Sequence, residues 1–303
     1  MVAPAPTVPW TTARSSSGPR LGLFERFRRG WALTKVSFRI LMQDKELILL
    51  PFLSLVTTGA MWVAFFAGIF FTGGFGTSGT GGFNPGPLFY VALFLLYLVT
   101  SFVALFFTAA VMGEAHIRLD GGSPTLGDGL RFAAQNAGRI FVWAVITATV
   151  GLVLRAIAER AGVIGRIVAG IVGLAWGVAT FFVLPVILFE HLGAIASVKR
   201  SAGIIRRTWG ESLAGTVGLG LVFGLLALAG LVPLFLGVYL LIATNNFLVF
   251  VAFAVVAFVY WVILALLAAA AQGVLVVALY RYATTGQVGF GFPPEVIARP
   301  FAR

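Results

Sequence analysis

Only two histidines occur in the 303 residues, and each has a glutamate beside it: Glu114 two positions before His116, and Glu190 next to His191. Imidazole nitrogens and carboxylate oxygens ligate divalent cations, and they are also common proton-transfer groups. Each pair falls at the end of a long apolar run. If those two ends pack together, two His and two Glu form a metal site or the centre of an intramembrane enzyme. The spacing matches no recognised metal motif, however. The plainer reading is polar residues closing a helix, with histidine near the negative helix terminus. The chain has no cysteine, which excludes disulfides, iron–sulfur clusters and thiolate zinc sites. The glycine-rich stretch "GGFGTSGTGGFNPGP" (73–87) lacks the Lys-Ser/Thr end and the preceding strand of a phosphate loop, and reads as a flexible connection. These residues give no catalytic or cofactor signature, so neither an enzyme nor a bound cofactor is expected, and no metal is assigned.

The elements that would position these groups are dictated by solvent. The chain is 60% hydrophobic and 10% charged, with mean hydropathy +1.02. A soluble domain carries about 25% charged residues, so this composition cannot build a water-facing surface. Six runs approach or exceed the ~20 residues that cross a bilayer as a helix: Leu47–Phe71, Leu88–Gly113, Ile140–Ala158, Ile167–Phe189, Leu213–Ala243 and Phe247–Leu279. The fifth is too long for one untilted helix, and Pro233 is expected to break or kink it. Gln272 is the most polar long side chain of the sixth, suited to a hydrogen bond with a neighbouring helix. No ionisable residue falls near the centre of a run, which argues against an ion path of the usual kind.

Net charge is +11. In a soluble protein that would suggest nucleic acid, but no aromatic-interleaved basic domain stands apart from the apolar runs. Alternate connections sum instead to 18 Lys/Arg on one side and 3 on the other. Positive charge stays cytoplasmic. Both termini are therefore expected inside, with six crossings of the cell membrane. The three outer charges, Arg155, Arg160 and Arg166, lie together, and Arg155 can pair with Glu159 one helical turn away.

Between the runs lie basic stretches with helical patterning. In "IASVKRSAGIIRRTWGES" (195–212), Ile195, Val198, Ala202, Ile205 and Trp209 share one face, flanked by Lys199, Arg200, Arg206 and Arg207, with Ser197 and Ser201 opposite. This is the pattern of a helix lying in the membrane interface, with its cations at lipid phosphates. Residues 23–46 repeat it with Phe24, Phe27, Trp31 and Phe38 beside Arg28, Lys35 and Arg39. Residues 124–139 are a milder version, with Ser123 as the expected cap and Pro124 in the first turn. Each such helix precedes two spans, which suggests a threefold repeat of helix plus helical hairpin. The expected organisation is a disordered tail over 1–22, a six-helix transmembrane domain over 23–286 and a C-terminal tail over 287–303. The fold class is all-α polytopic, with three amphipathic interfacial helices on the cytoplasmic side.

The segments "DKELILLPFLS" (44–54), "RLDGGSPTLGDGLRFA" (118–133), "FFVLPVILFEH" (181–191), "VKRSAGIIRRTWGES" (198–212) and "ALYRYATTG" (278–286) together resemble an uncharacterised family of prokaryotic integral membrane proteins, a domain of unknown function. The resemblance covers roughly residues 23–290. In pattern it is distantly similar to the membrane region attached to some glycerophosphodiester phosphodiesterases, whose soluble catalytic domain has no counterpart here. It implies six membrane helices and brings no functional residues with it.

Together these readings point to a non-catalytic membrane protein of a bacterial cell whose basic helices bind anionic lipid or a partner protein, this chain included. The expected headgroup or partner residues are Arg28, Lys35, Arg39, Lys199, Arg200, Arg206 and Arg207. The alternative is a transporter or channel for a small or lipid-like solute. No nucleic-acid partner is expected.

Overall fold

A computed structural model describes residues 46–71, 86–160 and 162–286, and only the backbone of 207–218. The expected helix over 23–46, with Arg28, Lys35 and Arg39, lies outside the described residues, as do both tails and most of the 73–87 loop. In chain order the helices are α1 (Glu46–Phe71), α2 (Pro87–Leu119), α3 (Leu126–Gln135), α4 (Ala137–Arg160), α5 (Gly162–Ala179), the single turn α6 (Val183–Pro185), α7 (Ala194–Ala229), α8 (Leu231–Thr244) and α9 (Phe247–Thr285). α6 runs directly into a π-helical turn, Val186–Glu190. No strand occurs among the described residues.

Six helical stretches are long and apolar enough to cross a membrane: Glu46–Phe71, Pro87–Leu119, Ala137–Arg160, Gly162–Glu190, Leu219–Thr244 and Phe247–Thr285. Their large side chains point outward: Phe71 is 84% exposed, Ile242 78% and Ile164 76%. Such a surface is costly in water and matched to lipid. The buried positions of α2 include Ala109, Ala110 and Ala115, small residues that let backbones approach.

The described chain forms two compact units. One comprises 49–114 and 125–205. In it α4 packs along α5, and the Trp143 and Trp176 rings stack with centroids 6.1 Å apart. Trp176 is thus packed mid-span as its position suggests. Trp143 is buried, with the stacked partner covering it. The other unit comprises 46–48, 115–124 and the described part of 206–303. There α8 packs along α9, and the stretch from Gly273 to Tyr280 of α9 is buried without interruption. Gln272 is exposed and bonds to no described residue, so the expected interhelical hydrogen bond does not form.

Three boundaries differ from expectation, each for a local reason. Residues 194–210 do not form a separate surface helix: α7 runs unbroken to Ala229, since no proline interrupts the sequence that leads into the fifth span. The break in that span falls at Gly230 rather than Pro233. Proline has no N–H to give the carbonyl one turn upstream, so the helix stops before it and Pro233 sits in the first turn of α8. The two chain segments are stitched by α9: the Tyr260 hydroxyl donates to the Leu226 carbonyl at 2.6 Å and the Trp261 indole to the Ala227 carbonyl at 2.9 Å. Finally, α3 is capped by Thr125, not Ser123. Thr125 and Asp128 form a reciprocal capping box in which the Asp128 N–H donates to Thr125 Oγ1 and the Thr125 N–H donates to Asp128 Oδ2.

Candidate functional site: the α3 end of the 49–114 and 125–205 unit

Glu114 lies on the last turns of α2 and is completely buried. It meets the first turn of α3 at Gly129. A Cβ placed on Gly129 would stand 2.8 Å from both Cγ and Oε1 of Glu114 and 2.9 Å from the Ala110 carbonyl oxygen. Only glycine admits this approach. The carboxylate consequently sits at the positive end of the α3 dipole, where a buried anion is best tolerated. Phe132, one turn along α3, covers Gly113 and packs its ring against Phe189 at 5.7 Å. Glu114 therefore has a packing role at a tight helix crossing.

Glu190 and His191 close the π-helical turn, and each has its own partner. Arg200 donates from Nε to both Glu190 carboxylate oxygens at 2.9 and 3.0 Å. His191 is in the left-handed region (φ 54°) and its Nδ1 is 3.2 Å from Arg139 Nη1, which also donates to the Asn136 side-chain oxygen at 3.1 Å. With Nδ1 as the acceptor tautomer, all three form one chain of bonds. Asn136 breaks the α3–α4 path, its own side chain donating to the Phe132 carbonyl.

The buried face at the start of α7 is the serine face. Ser197, Ser201, Ile204 and Ile205 are buried, whereas Ile195 is 73% exposed. Of the expected apolar stripe, Ile195 faces outward and Ile205 is buried. The reason lies at the break after α5: the Phe182 N–H donates to Ser201 Oγ at 3.0 Å. A buried N–H left without a partner costs about 1–3 kcal/mol, more than the modest gain from burying Ile195 would return at a lipid interface. Lys199 and Arg206 then lie on the exposed stripe with Ile195, while Arg200 is committed to Glu190. Nothing is described of the Arg207 side chain.

His116 belongs to the second unit. There it stands 3.7 Å from Asp120, and Asp120 receives the Arg281 guanidinium from α9 at 2.6 Å. Among the described residues, no three His, Asp or Glu groups are placed to hold a metal ion. Within their own units, Glu190 faces arginine, His191 faces arginine, and His116 faces aspartate. Arg139, Gly129, Asp120 and Arg281 escaped the sequence reading. The one available signal was "TLGD" (125–128), whose Thr and Asp three apart announce the capping box.

Six apolar spans with polar clusters at helix ends define a polytopic α-helical membrane protein. The chain belongs to a family of unknown function (DUF6159), whose profile matches residues 88–290. No curated protein and no solved structure matches it.

Proposed function

We propose that this protein is a non-catalytic integral membrane protein that holds anionic lipid headgroups on the basic face of α7. The single observation that supports this is the stripe Ile195–Lys199–Arg206, exposed while the opposite serine face is buried. An apolar residue and two cations on one outward face suit the boundary between acyl chains and phosphates. The absence of catalysis is part of the proposal, supported by the structural partners that occupy Glu190 and His191. The bias of positive charge supports both termini in the cytoplasm and the α7 start at the inner leaflet.

Each cation near an anionic leaflet contributes about 1 kcal/mol, so Lys199 and Arg206 together are worth about thirtyfold in affinity. Lys199→Gln/Arg206→Gln, with Arg200 kept for its bond to Glu190, should weaken binding to phosphatidylglycerol vesicles by that factor. Unchanged binding would refute the reading. Orientation is checked in the cysteine-free chain with Ser78→Cys, which an impermeant maleimide should label from outside intact cells, and Lys199→Cys, which it should not.

A transporter reading has one observation in its favour: the Leu219–Thr244 span breaks at Gly230, near its middle. Discontinuous spans line substrate sites in transporters. Single cysteines across 226–234 that react with an impermeant reagent would support a water-filled path, and complete protection would exclude one.

A further inference from the structure

At the other end of α2, away from Glu114, the unit of 49–114 and 125–205 contains a cavity of about 410 Å³ between α1, α2 and α4. Its wall is aromatic on the α2 side, where Tyr90, Phe94 and Tyr97 recur at helical spacing, and Trp62 of α1 adds a fourth ring. On the α4 side the wall is Gly151 and, one turn on, Arg155. At 1.5 Å per residue, Arg155 lies about 7.5 Å from the end of α4, and Gly151 about 13.5 Å. Tyr90 is about 4.5 Å from the start of α2 and Tyr97 about 15 Å, with Trp62 about 13.5 Å from the end of α1. The cavity thus runs from charged groups near the helix ends to an apolar interior. At about 30 Å³ per water-sized group it holds roughly fourteen such groups, the scale of one acyl chain.

Its polar groups have capacity to spare. Among the described residues, the Tyr90 and Tyr97 hydroxyls and the Trp62 indole N–H bond to nothing. Arg155 spends Nε on Glu159 at 2.7 Å, leaving its Nη groups without a described partner. Guanidinium nitrogens fit phosphate oxygens. The adjoining Glu159 carboxylate decides the charge of the ligand. A headgroup without an ammonium leaves Glu159 only its bond to Arg155 Nε, whereas a phosphate followed by an ammonium satisfies both members of the pair.

We propose that this cavity binds one zwitterionic phospholipid with a primary ammonium headgroup, its phosphate at Arg155, its ammonium at Glu159 and one acyl chain beside Phe94, Tyr97 and Gly151. The site rests on the membrane placement of the helices and not on lipid binding by α7. Gly151 keeps the deep end open: its Cα carries no side chain where a Cβ would already touch the Tyr97 hydroxyl at 3.5 Å.

The test uses the full chain in nanodiscs of equal phosphatidylethanolamine and phosphatidylglycerol, with retained lipid counted by native mass spectrometry. Wild type should keep one phosphatidylethanolamine in preference to phosphatidylglycerol. Losing a charge-assisted bond in Arg155→Gln should lower that retention about tenfold, and Gly151→Leu should do so by filling the cavity. Glu159→Gln should shift the preference toward phosphatidylglycerol. Lys199→Gln/Arg206→Gln should leave the bound phosphatidylethanolamine in place, so failure of the α7 reading is separately visible. Equal retention of the two lipids by wild type, or retention unaffected by Arg155→Gln, overturns the proposal and leaves a cleft that bulk lipid fills. Arg155 is an exposed surface residue, so its variant keeps the test decisive even if Gly151→Leu folds poorly.

Discussion

Replacing Gly129 with alanine tests a tight helix crossing, and Gly127 two residues earlier supplies the control. Both glycines lie in α3, and alanine at either should gain about 0.5–1 kcal/mol of helix propensity. At Gly127 a Cβ meets only Thr125 Oγ1, at 3.8 Å, which is ordinary contact. At Gly129 it meets Glu114 Cγ and Oε1 at 2.8 Å and the Ala110 carbonyl at 2.9 Å. The carbonyl belongs to α2 backbone and cannot rotate aside. α3 must therefore back away, and overpacking of this kind costs about 1–3 kcal/mol. Gly127→Ala should be more stable than wild type by up to about 1 kcal/mol. Gly129→Ala should fall about 1–3 kcal/mol below Gly127→Ala, because the propensity gain cancels between the two and leaves the crossing cost. The assay is equilibrium unfolding of the full chain in dodecyl maltoside titrated with dodecyl sulfate, followed by far-UV circular dichroism. If the two variants agree within about 0.3 kcal/mol, the close approach of α3 to Glu114 is wrong.

The remaining predictions concern single bonds. Ser201→Ala leaves the buried Phe182 N–H without its acceptor and should cost about 1–3 kcal/mol in the same titration; an unperturbed midpoint would show that this bond does not hold α7 in place. Tyr260→Phe and Trp261→Phe each remove one hydrogen bond to a carbonyl at the Gly230 break and should cost about 0.6 kcal/mol, up to about 1.7, the range for hydrogen bonds between membrane helices; amide exchange at 230–234 should accelerate in both. Hydrogen bonds from the Thr125 hydroxyl and N–H hold the exposed Asp128 carboxyl below its ordinary value of 3.8. Its stabilisation of α3 is therefore complete above that value and lost as pH falls through the lower folded one. Amide exchange in the first turn of α3 should quicken below about pH 4, and Asp128→Asn should abolish that pH dependence.

Much of the architecture was readable because lipid imposes a simple code. Length and apolarity alone located all six spans, since a bilayer core forces about 20 apolar residues into a fully hydrogen-bonded helix. The Arg155–Glu159 pair was readable as well, because it depends only on a four-residue spacing within one helix. Which side of α7 is buried was not readable, for a physical reason. A hydrophobic stripe marks no buried side when lipid is the alternative to water, and the serine side is buried, where Ser201 accepts from the Phe182 N–H. The shift of a break from Pro233 to Gly230 is likewise local in origin, yet its repair by Tyr260 and Trp261 comes from a different helix.

By itself, the amino-acid order determined the solvent, the number of crossings and the segments that carry positive charge, because each follows from the transfer free energy of consecutive residues. Which polar groups meet was decided only by the tertiary structure. Glu190 could have faced a metal, a substrate or a cation, and it faces Arg200 ten residues later. Glu114 is buried because Gly129, fifteen residues away, has no side chain to exclude it. Such pairings depend on distances of a few tenths of an ångström between backbones, a quantity that no residue pattern encodes.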